Sequence, residues 1–221
     1  MKELDTSQIK NYPQNVILGE ADIVKHPPLD ILSEKELKEY DSFRNTKRKA
    51  EFVSARKLFR FLLSQMDINP KQVQLLKEQE GKPYAIWNGK HIFLSFSHSP
   101  KKVYCAISKK MDIGLDVEPV SREIRQRILE RITSEAERSE VSTLKPVQIW
   151  TIKEAVVKFL GTGLRTNLND LTVVKKRNSQ ISVKFNNDKF IEICSFRQSD
   201  HQISSKSPFS FGLGIVSLGF F

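Results

Sequence analysis

The longest periodic segment of the chain runs from residue 33 to residue 65 and constrains the fold most strongly. Ser33 can cap a helix, and Glu36 follows three positions later, which is the spacing of a capping box. Apolar side chains then recur at helical intervals among lysines and arginines. The sequence therefore predicts one basic, amphipathic helix over 33–65. Its apolar positions are Phe52, Ala55, Phe59, Leu62 and Leu63.

Short β-type runs make up much of the remaining chain. Turn signals such as Gly81 and Pro83 bound them, and a second long helix, predicted over 147–160, ends in a glycine-rich stop signal at 161–163. This mixture predicts an α+β fold. The predicted strands are 92–96, 103–108, 111–117, 171–174, 181–185, 190–196 and 211–218, and a further helix is predicted over 122–131.

A basic helix that leads to a terminal strand occurs twice in this pattern. The chain has 221 residues, enough for one large domain or two small ones. The repetition predicts two similar α+β halves, 1–110 and 111–221. The repeated pairs are helix 49–63 with strand 103–108 and helix 152–160 with strand 214–218.

The chain is strongly basic. Its 36 lysines and arginines against 26 acidic residues give a formal net charge of +10. Such an excess attracts anionic partners, so nucleic acid, phosphorylated cofactors, acidic proteins and anionic membrane surfaces all remain open at this point.

The two cysteines and the chain ends carry no signal for secretion or membrane insertion. Cys105 and Cys194 lie inside apolar runs without metal-ligand spacing, which predicts buried free thiols. The first residues lack the apolar core of a signal peptide, and the run 207–221 is interrupted by glycines and too short for a membrane helix. We therefore expect a cytoplasmic protein that does not span a membrane and ends in a buried strand.

Two carboxylates stand two residues apart in a predicted strand. Asp116 and Glu118 occur in the run Ile-Gly-Leu-Asp-Val-Glu at 113–118, and this spacing puts both side chains on one face. Convergent carboxylate oxygens suit Mg²⁺, which completes its coordination with water and substrate phosphates. The alternative is an exposed strand face with two solvated acids.

A third acid and a cation share one face of the second long helix. Glu154 and Lys158 are four residues apart in the run Trp-Thr-Ile-Lys-Glu-Ala-Val-Val-Lys at 150–158. Taken alone, the pair could be a surface ion pair that stabilises the helix by only a few tenths of a kcal/mol.

Together these two runs resemble the signature of the phosphopantetheinyl transferase superfamily, a Gly-x-Asp strand followed by a Trp-x-x-Lys-Glu-x-x-x-Lys helix. The resemblance continues after the helix at 161–164 and upstream at 81–83 and 96–99. The length of the chain and its repeated helix-and-strand pattern are similar to those of the monomeric Sfp type. In that type two similar α+β halves, related by a pseudo-twofold, lie side by side with coenzyme A in the cleft between them.

The resemblance implies a reaction and a metal site. A serine hydroxyl of an apo acyl or peptidyl carrier protein attacks the β-phosphate of coenzyme A, and 3',5'-ADP leaves. Asp116, Glu118 and Glu154 would hold Mg²⁺ against the pyrophosphate, and Lys158 would reach the same phosphates. Glu154 is either the general base or a metal ligand only.

The resemblance also implies contacts with coenzyme A. Ser97 and His98, in the connection between two predicted strands, would touch its phosphates, and the turn at 81–83 would lie along the nucleotide. N-terminal cations would grip the 3'-phosphate. The alternatives are an exposed loop histidine, a simple β-turn and solvated surface cations. The residues so assigned are Lys35, Lys38, Arg48, Arg56, Gly81, Lys82, Pro83, Ser97, His98 and Lys158.

The chain departs from the family pattern in two places. Pro100 stands where the family usually has glycine or another flexible residue, and the stretch 133–147 lacks aromatic residues often found there. That stretch helps to receive the carrier protein, so the identity of the carrier stays open.

Two rival functions remain. The charge and the basic segments 47–49 and 175–177 would suit a nucleic-acid-binding protein. The chain, however, has no recognisable base-reading module, no zinc spacing and no aromatic stacking motif. The second rival is a family member that binds coenzyme A and the carrier protein without turnover. Asp116, Glu154 and Lys158 are present and favour an active enzyme, and we expect a monomer that does not bind nucleic acid.

Overall fold

The computed structural model of this chain describes residues 1–175, 181–185 and 189–206. These residues form two antiparallel sheets, one of six strands and one of five, and a long helix packs against each. The predicted α+β class is thereby confirmed. The predicted strand at 211–218 lies outside the described residues, as does the strand at 214–218 in the second repeated pair.

The first sheet packs against a long helix near the N-terminus. Helix α1 spans Glu34–Ser42 and helix α2 spans Thr46–Gln65. Buried residues of α2, including Leu58 and Leu62, pack against β2 and β6. Across the sheet the strand order is β1-β2-β6-β5-β4-β3. Its strands are β1 (Lys2–Glu3), β2 (Ile17–Asp22), β3 (Val73–Lys77), β4 (Pro83–Trp87), β5 (Lys90–His98) and β6 (Lys102–Ser108).

The second sheet packs against α5, which spans Pro146–Leu160. The short helices α3 (Gln126–Ile132) and α4 (Arg138–Val141) precede α5. Across the sheet the strand order is β7-β11-β10-β9-β8. Its strands are β7 (Leu115–Pro119), β8 (Thr172–Lys175), β9 (Ile181–Phe185), β10 (Lys189–Gln198) and β11 (His201–Lys206), and 3-10 helices cover Pro70–Gln72, Glu135–Glu137, Gly163–Arg165 and Leu168–Asp170.

The two sheets repeat one topology. In each, the strand before the long helix (β2 or β7) pairs with the fourth strand after that helix (β6 or β11), and the other three strands follow in reverse chain order. The strand order therefore repeats within the described residues, although the second expected pair, helix 152–160 with strand 214–218, lies partly outside them. The division at residues 110 and 111 and the pseudo-twofold relation stay predictions.

The prediction of one helix over 33–65 is wrong, because the helix is interrupted at 43–45. Ser33 and Glu36 form the predicted capping box, but Asn45 starts a second helix. The Asn45 side chain accepts hydrogen bonds from the backbone N–H groups of Lys47 (2.8 Å) and Arg48 (3.2 Å). A short amide side chain that caps orphan N–H groups stabilises a new N-terminus.

Strand β11 was not predicted, because its sequence His-Gln-Ile-Ser-Ser-Lys is almost entirely polar. All six residues are nonetheless buried between β7 and β10, which pair with it on either side. The Ser204 hydroxyl lies 3.0 Å from the Thr151 hydroxyl and donates a hydrogen bond to that of Ser195 (2.9 Å). Buried hydroxyls that find partners are compatible with a sheet interior.

Other boundaries differ less. The strand predicted over 111–117 begins at Leu115, and the helix predicted over 122–131 lies at Gln126–Ile132. Gly161 ends α5 in the left-handed conformation (φ +72°), as its stop signal predicts.

Both cysteines are buried and free. None of the described helices is both long and apolar enough to cross a membrane.

Gly114 lets β7 approach α5 closely, and its replacement should destabilise the fold. A Cβ atom at this position would lie 2.0 Å from the Ala155 carbonyl oxygen and 2.5 Å from the Phe159 nitrogen, both backbone atoms that cannot rotate away. We expect Gly114→Ala to lower the free energy of unfolding in urea by about 3 kcal/mol or more.

Gly89→Ala is the matched control for this prediction. Gly89 has a positive φ of +72° but no neighbour within 4 Å of an added Cβ. Only the backbone strain remains, which costs about 1–2 kcal/mol. Equal losses in the two variants would show that the contact of β7 with α5 does not require glycine.

Candidate functional site

A cleft of about 960 Å³ is lined by residues of the first sheet and of both long helices, α2 and α5. Side chains of α2 and β5 line it from the first half of the chain. Side chains of α3 and α5 and the segment after α5 line it from the second half. This cleft brings together most of the residues that the sequence analysis singled out.

Strand β5 and strand β7 meet at the junction of the halves through serine hydroxyls. Ser95 Oγ accepts a hydrogen bond from the Leu115 N–H, and Ser97 Oγ accepts one from the Val117 N–H, both at 3.0 Å. The two serines are buried and, at a spacing of two, lie on one face of β5. Side-chain hydroxyls thus join two backbones that belong to different sheets.

This junction corrects the placement of Ser97 and His98. The sequence analysis put both in a connection, but they belong to β5, opposite Tyr104 and Val103 of β6. The connection begins at Ser99. A serine and a histidine next to Pro100 favour a loop locally, whereas here the partners of the Ser97 hydroxyl come from a strand and a helix of the other half.

Asp116 is the centre of the junction. It is buried on β7, and its Oδ1 atom accepts hydrogen bonds from Lys158 Nζ (2.7 Å) and Ser97 Oγ (3.1 Å). Its Oδ2 atom is also buried and has no hydrogen-bond partner among the described residues. A buried carboxylate oxygen without a partner is costly unless a cation or water meets it.

Glu154 lies on α5, one helical turn before Lys158, and lines the cleft. Burial and the nearby Asp116 carboxylate raise the pKa of Glu154, against the opposing influence of Lys158 and Arg122. A bound cation would stabilise the charged form of Glu154 beside Asp116.

Glu118 has a different partner. It shares a face of β7 with Asp116, as predicted, but its carboxylate forms an ion pair with Arg122, whose guanidinium lies 4.7 Å from the Trp150 ring centroid. Glu118 lines a second cavity of about 470 Å³ beside His98.

The three acids therefore fit a metal ion unequally. Within residues 1–175, 181–185 and 189–206, no three His, Cys, Asp or Glu side chains are grouped closely enough to hold one. Asp116 Oδ2 and the Glu154 carboxylate nevertheless offer the hard oxygen atoms that Mg²⁺ prefers. Glu118 could join them only by leaving Arg122. The magnesium assignment stays a prediction, for which Asp116 and Glu154 are the fitting residues.

Lys82 is held inside the junction. Gly81 adopts the turn conformation (φ +92°), as expected, and Pro83 begins β4. The Lys82 ammonium lies 2.5 Å from Asp112 Oδ2 and also donates to the carbonyl of Phe159 near the C-terminus of α5. A phosphate contact by this side chain, which stays a prediction, would compete with both bonds.

The predicted N-terminal cations fall into two groups. Arg48 and Arg56 line the cleft, whereas Lys35 and Lys38 are exposed on α1 away from it. The Arg56 guanidinium is buried between the rings of Phe52 and Phe96, at 4.2 and 5.0 Å from their centroids.

Two acids pair with the arginines that line the cleft. Arg56 Nε lies 3.1 Å from a Glu36 carboxylate oxygen. Glu51 forms an ion pair with Arg48 and lies 3.6 Å from His98 Nε2. Burial lowers the pKa of His98, with Glu51 acting in the opposite direction. His98 therefore faces the cleft as a largely neutral imidazole at pH 7.

Sequence reasoning missed a buried ion pair behind the site. Lys153 is completely buried, and its ammonium donates to the Glu137 carboxylate and to the carbonyls of Ile132 and Leu168. The signal was present in the sequence, since Lys153 lies on the apolar stripe of α5 that includes Ile149, Ile152 and Val156. A lysine on such a stripe needs a buried acid.

One ion pair and two further side chains that line the cleft were also not predicted from the sequence. Arg165 and Glu80 form an ion pair at 2.7 Å between the segment after α5 and the turn before β4. Ile128 and Arg131 of α3 line the cleft as well. These residues carry no motif, and only the packing of the two halves brings them to one place.

Comparison with known proteins points to one family. The model of the 4'-phosphopantetheinyl transferase superfamily matches residues 112–207. The chain is 29% identical over 161 residues to the 4'-phosphopantetheinyl transferase gsp of Aneurinibacillus migulanus, with 64% of this chain and 65% of that protein covered. It is 26% identical over 126 residues to the 4'-phosphopantetheinyl transferase Sfp of Bacillus subtilis, with 54% and 55% covered. The chain thus spans 55% to 65% of the length of these relatives.

Proposed function

We propose that this chain is a member of the 4'-phosphopantetheinyl transferase superfamily and that it transfers the 4'-phosphopantetheine arm of coenzyme A to a serine of an apo acyl or peptidyl carrier protein. The observation that supports this proposal is that Glu154 and Lys158 line a cleft between two halves, with the Asp116 carboxylate bonded to Lys158 directly behind that lining. The cleft is large enough for a nucleotide with a flexible arm, since small-molecule sites occupy about 300–1,000 Å³.

Asp116 Oδ2 and Glu154 are the residues that would hold a magnesium ion, and Glu118 would complete the set if it left Arg122. When bound, the ion supplies positive charge to the pyrophosphate and lowers the barrier to displacement at phosphorus. Asp116 keeps a second oxygen for Lys158, so the same carboxylate can serve the ion and the ammonium together.

The chemistry is a displacement at the β-phosphorus of coenzyme A. The carrier serine oxygen forms a bond to this phosphorus, and the bond from phosphorus to the bridging oxygen breaks. The electron pair stays on the leaving 3',5'-ADP, and the serine proton must pass to a base. Negative charge therefore grows on phosphate oxygens in the cleft, where a fixed cation stabilises it.

Lys158 and Glu154 suit these two tasks. The Lys158 side chain is 30% exposed, so its ammonium can reach phosphate oxygens while Asp116 holds it at 2.7 Å. Glu154 lines the cleft one helical turn before Lys158, where a carboxylate can both contact the ion and accept a proton. We assign Glu154 as the general base for the carrier serine.

The remaining lining cations would bind the nucleotide. Arg48 and Arg56 line the first-half wall of the cleft together with His98. Arg56 is held rigidly by two aromatic rings and Glu36, and a planar guanidinium with fixed donors is well suited to phosphate oxygens.

The test is the intact mass of an apo carrier protein after incubation with this protein, coenzyme A and Mg²⁺. We expect a gain of one phosphopantetheine arm that disappears in EDTA. Acyl and peptidyl carriers are tried separately, since the sequence leaves the carrier open. Coenzyme A binding without any mass gain would identify a non-catalytic binder, and absence of coenzyme A binding would refute the proposal.

A further inference from the structure

The Ser97 hydroxyl lies where both halves of the chain meet at Asp116. Ser97 is 5% exposed and belongs to β5, whereas its partners belong to β7 and α5. Its Oγ atom lies 3.1 Å from Asp116 Oδ1, 3.2 Å from Lys158 Nζ and 3.0 Å from the Val117 nitrogen. It therefore contacts the two charged groups of the proposed site at once.

Counting donors and acceptors fixes the direction of the hydroxyl hydrogen. A serine hydroxyl has one hydrogen to donate and two lone pairs to accept with. The Val117 N–H and the Lys158 ammonium can only donate, so together they fill both lone pairs. The single hydrogen of Ser97 must then point to Asp116 Oδ1, which is an acceptor.

This arrangement makes the two oxygens of Asp116 unequal. Oδ1 receives the Ser97 hydroxyl and the Lys158 ammonium, whereas the buried Oδ2 receives no hydrogen bond from the part of the chain that the structure describes. Rotation of the carboxylate would break both bonds to Oδ1. Ser97, together with Lys158, thus fixes the orientation of the carboxylate and the position of its second oxygen.

We propose that Ser97 is a positioning residue that orients the Asp116 carboxylate so that Oδ2 is available to a divalent cation. The inference deepens the proposed function and rests on it. It gives Ser97 a role different from the expected coenzyme A contact, because its hydrogen and both lone pairs are already used within the protein. Ser97 acts on the cation through Asp116.

Ser95 provides a matched control. It lies two residues earlier on the same face of β5, is 4% exposed, and accepts a 3.0 Å hydrogen bond from the Leu115 N–H. Ser95→Ala and Ser97→Ala each remove a buried hydroxyl and one bond to the β7 backbone. Only Ser97→Ala removes a bond to Asp116 and Lys158.

The experiment compares cation binding and turnover in these variants. Binding of Mn²⁺ is measured by electron paramagnetic resonance on the protein with coenzyme A and no carrier. Ser97→Ala is expected to weaken Mn²⁺ binding by about tenfold, in the range found for residues that orient metal ligands. It should lower kcat and raise the Mg²⁺ concentration needed for half-maximal rate, with the KM for coenzyme A changed less than about twofold. Ser97→Thr, which keeps the hydroxyl, should recover most of both losses.

Several results would overturn the inference. One is a rise in the KM for coenzyme A with unchanged Mn²⁺ binding, which would make Ser97 a nucleotide contact. Another is an equal loss of Mn²⁺ affinity in Ser95→Ala, which would show a general effect of the junction. Should Ser97→Ala fail to fold, Ser97→Cys keeps the side-chain size with much weaker hydrogen bonds and is judged by the same criteria.

The measurement of Mn²⁺ binding separates this inference from the proposed function. If no carrier is modified but Ser97→Ala still binds Mn²⁺ more weakly than Ser95→Ala does, the positioning role stands and the transfer reaction is refuted. If the wild-type protein modifies a carrier and Mn²⁺ binding is the same in both variants, the transfer reaction stands and the positioning role is refuted.

Discussion

Asp116→Asn is expected to lower kcat/KM for transfer by about a thousandfold or more, a loss of roughly 4 kcal/mol of transition-state stabilisation. The substitution keeps the size of the side chain but removes its charge. An amide holds Lys158 more weakly, and it offers at best one neutral oxygen to a cation in place of a carboxylate. Single-turnover kinetics followed by intact mass of the carrier measures the loss.

The folded state should survive this change. Asp116 Oδ2 is a buried charged oxygen without a partner in residues 1–175, 181–185 and 189–206, and the Lys158 side chain can reach solvent once released. We therefore expect the free energy of unfolding of Asp116→Asn to stay within about 1 kcal/mol of wild type. Asp41→Asn, at an exposed position of α1, controls for the change in net charge. Rates close to wild type for Asp116→Asn at saturating Mg²⁺ would remove Asp116 from the site.

Glu154→Gln separates the two roles considered for Glu154. A fall in kcat with unchanged Mn²⁺ affinity would support the general base. A loss of Mn²⁺ affinity that accompanies the fall in kcat would make Glu154 a metal ligand, because an uncharged amide binds the cation more weakly than a carboxylate.

Lys153→Met should have the largest effect on stability, about 3–5 kcal/mol. Methionine can fill the space of the lysine stem, but no cation then faces the Glu137 carboxylate, which is completely buried. Glu137 also accepts hydrogen bonds from the backbone N–H groups of Ser134 and Val173, so it cannot turn away without breaking them. Urea unfolding followed by tryptophan fluorescence measures the change.

The control and the double variant identify the cause. Lys71→Met changes the same charge at an exposed position and should cost less than about 0.5 kcal/mol. Adding Glu137→Gln to Lys153→Met removes the uncompensated charge and should recover part of the loss, since the amide oxygen can still accept hydrogen bonds. A loss below about 1 kcal/mol in Lys153→Met would mean that the buried pair contributes little.

The buried Lys153 ammonium also contacts residues that line the cleft. Lys153 joins α5 to the end of α3 at Ile132 and to Leu168 in the segment after α5, and both of these residues line the cleft. Glu154 is its neighbour on the helix. The Lys153 ammonium therefore connects α3 and the segment after α5, and it lies on the residue next to the proposed base Glu154.

Local properties of the chain were predictable. The capping box of Ser33 and Glu36 depends on residues three apart, and the helical stop at Gly161 depends on the freedom of one residue. The strand at 181–185 and the helix over 147–160 follow from side-chain periodicity, which the chain carries regardless of its neighbours.

Polar residues with distant partners were not predictable in the same way. The polar run His201–Lys206 carries no strand signal, yet all six of its residues are buried in the second sheet. Composition makes such residues look exposed. Whether a hydroxyl or amide can be buried depends on whether a partner arrives from elsewhere in the chain, which spacing along the sequence does not contain.

The sequence by itself determined that Asp116 and Glu118 share a strand face and that Glu154 and Lys158 share a helix face, because both depend only on the repeat of one secondary structure. Only the tertiary structure decided that Glu118 pairs with Arg122, that Lys82 is engaged by Asp112, and that Ser97 and Lys158 occupy the same oxygen of Asp116. The contacts of Lys82 with Asp112 and of Ser97 with Asp116 form only when the two halves pack, whereas the pair of Glu118 and Arg122 depends on the path of the chain after β7.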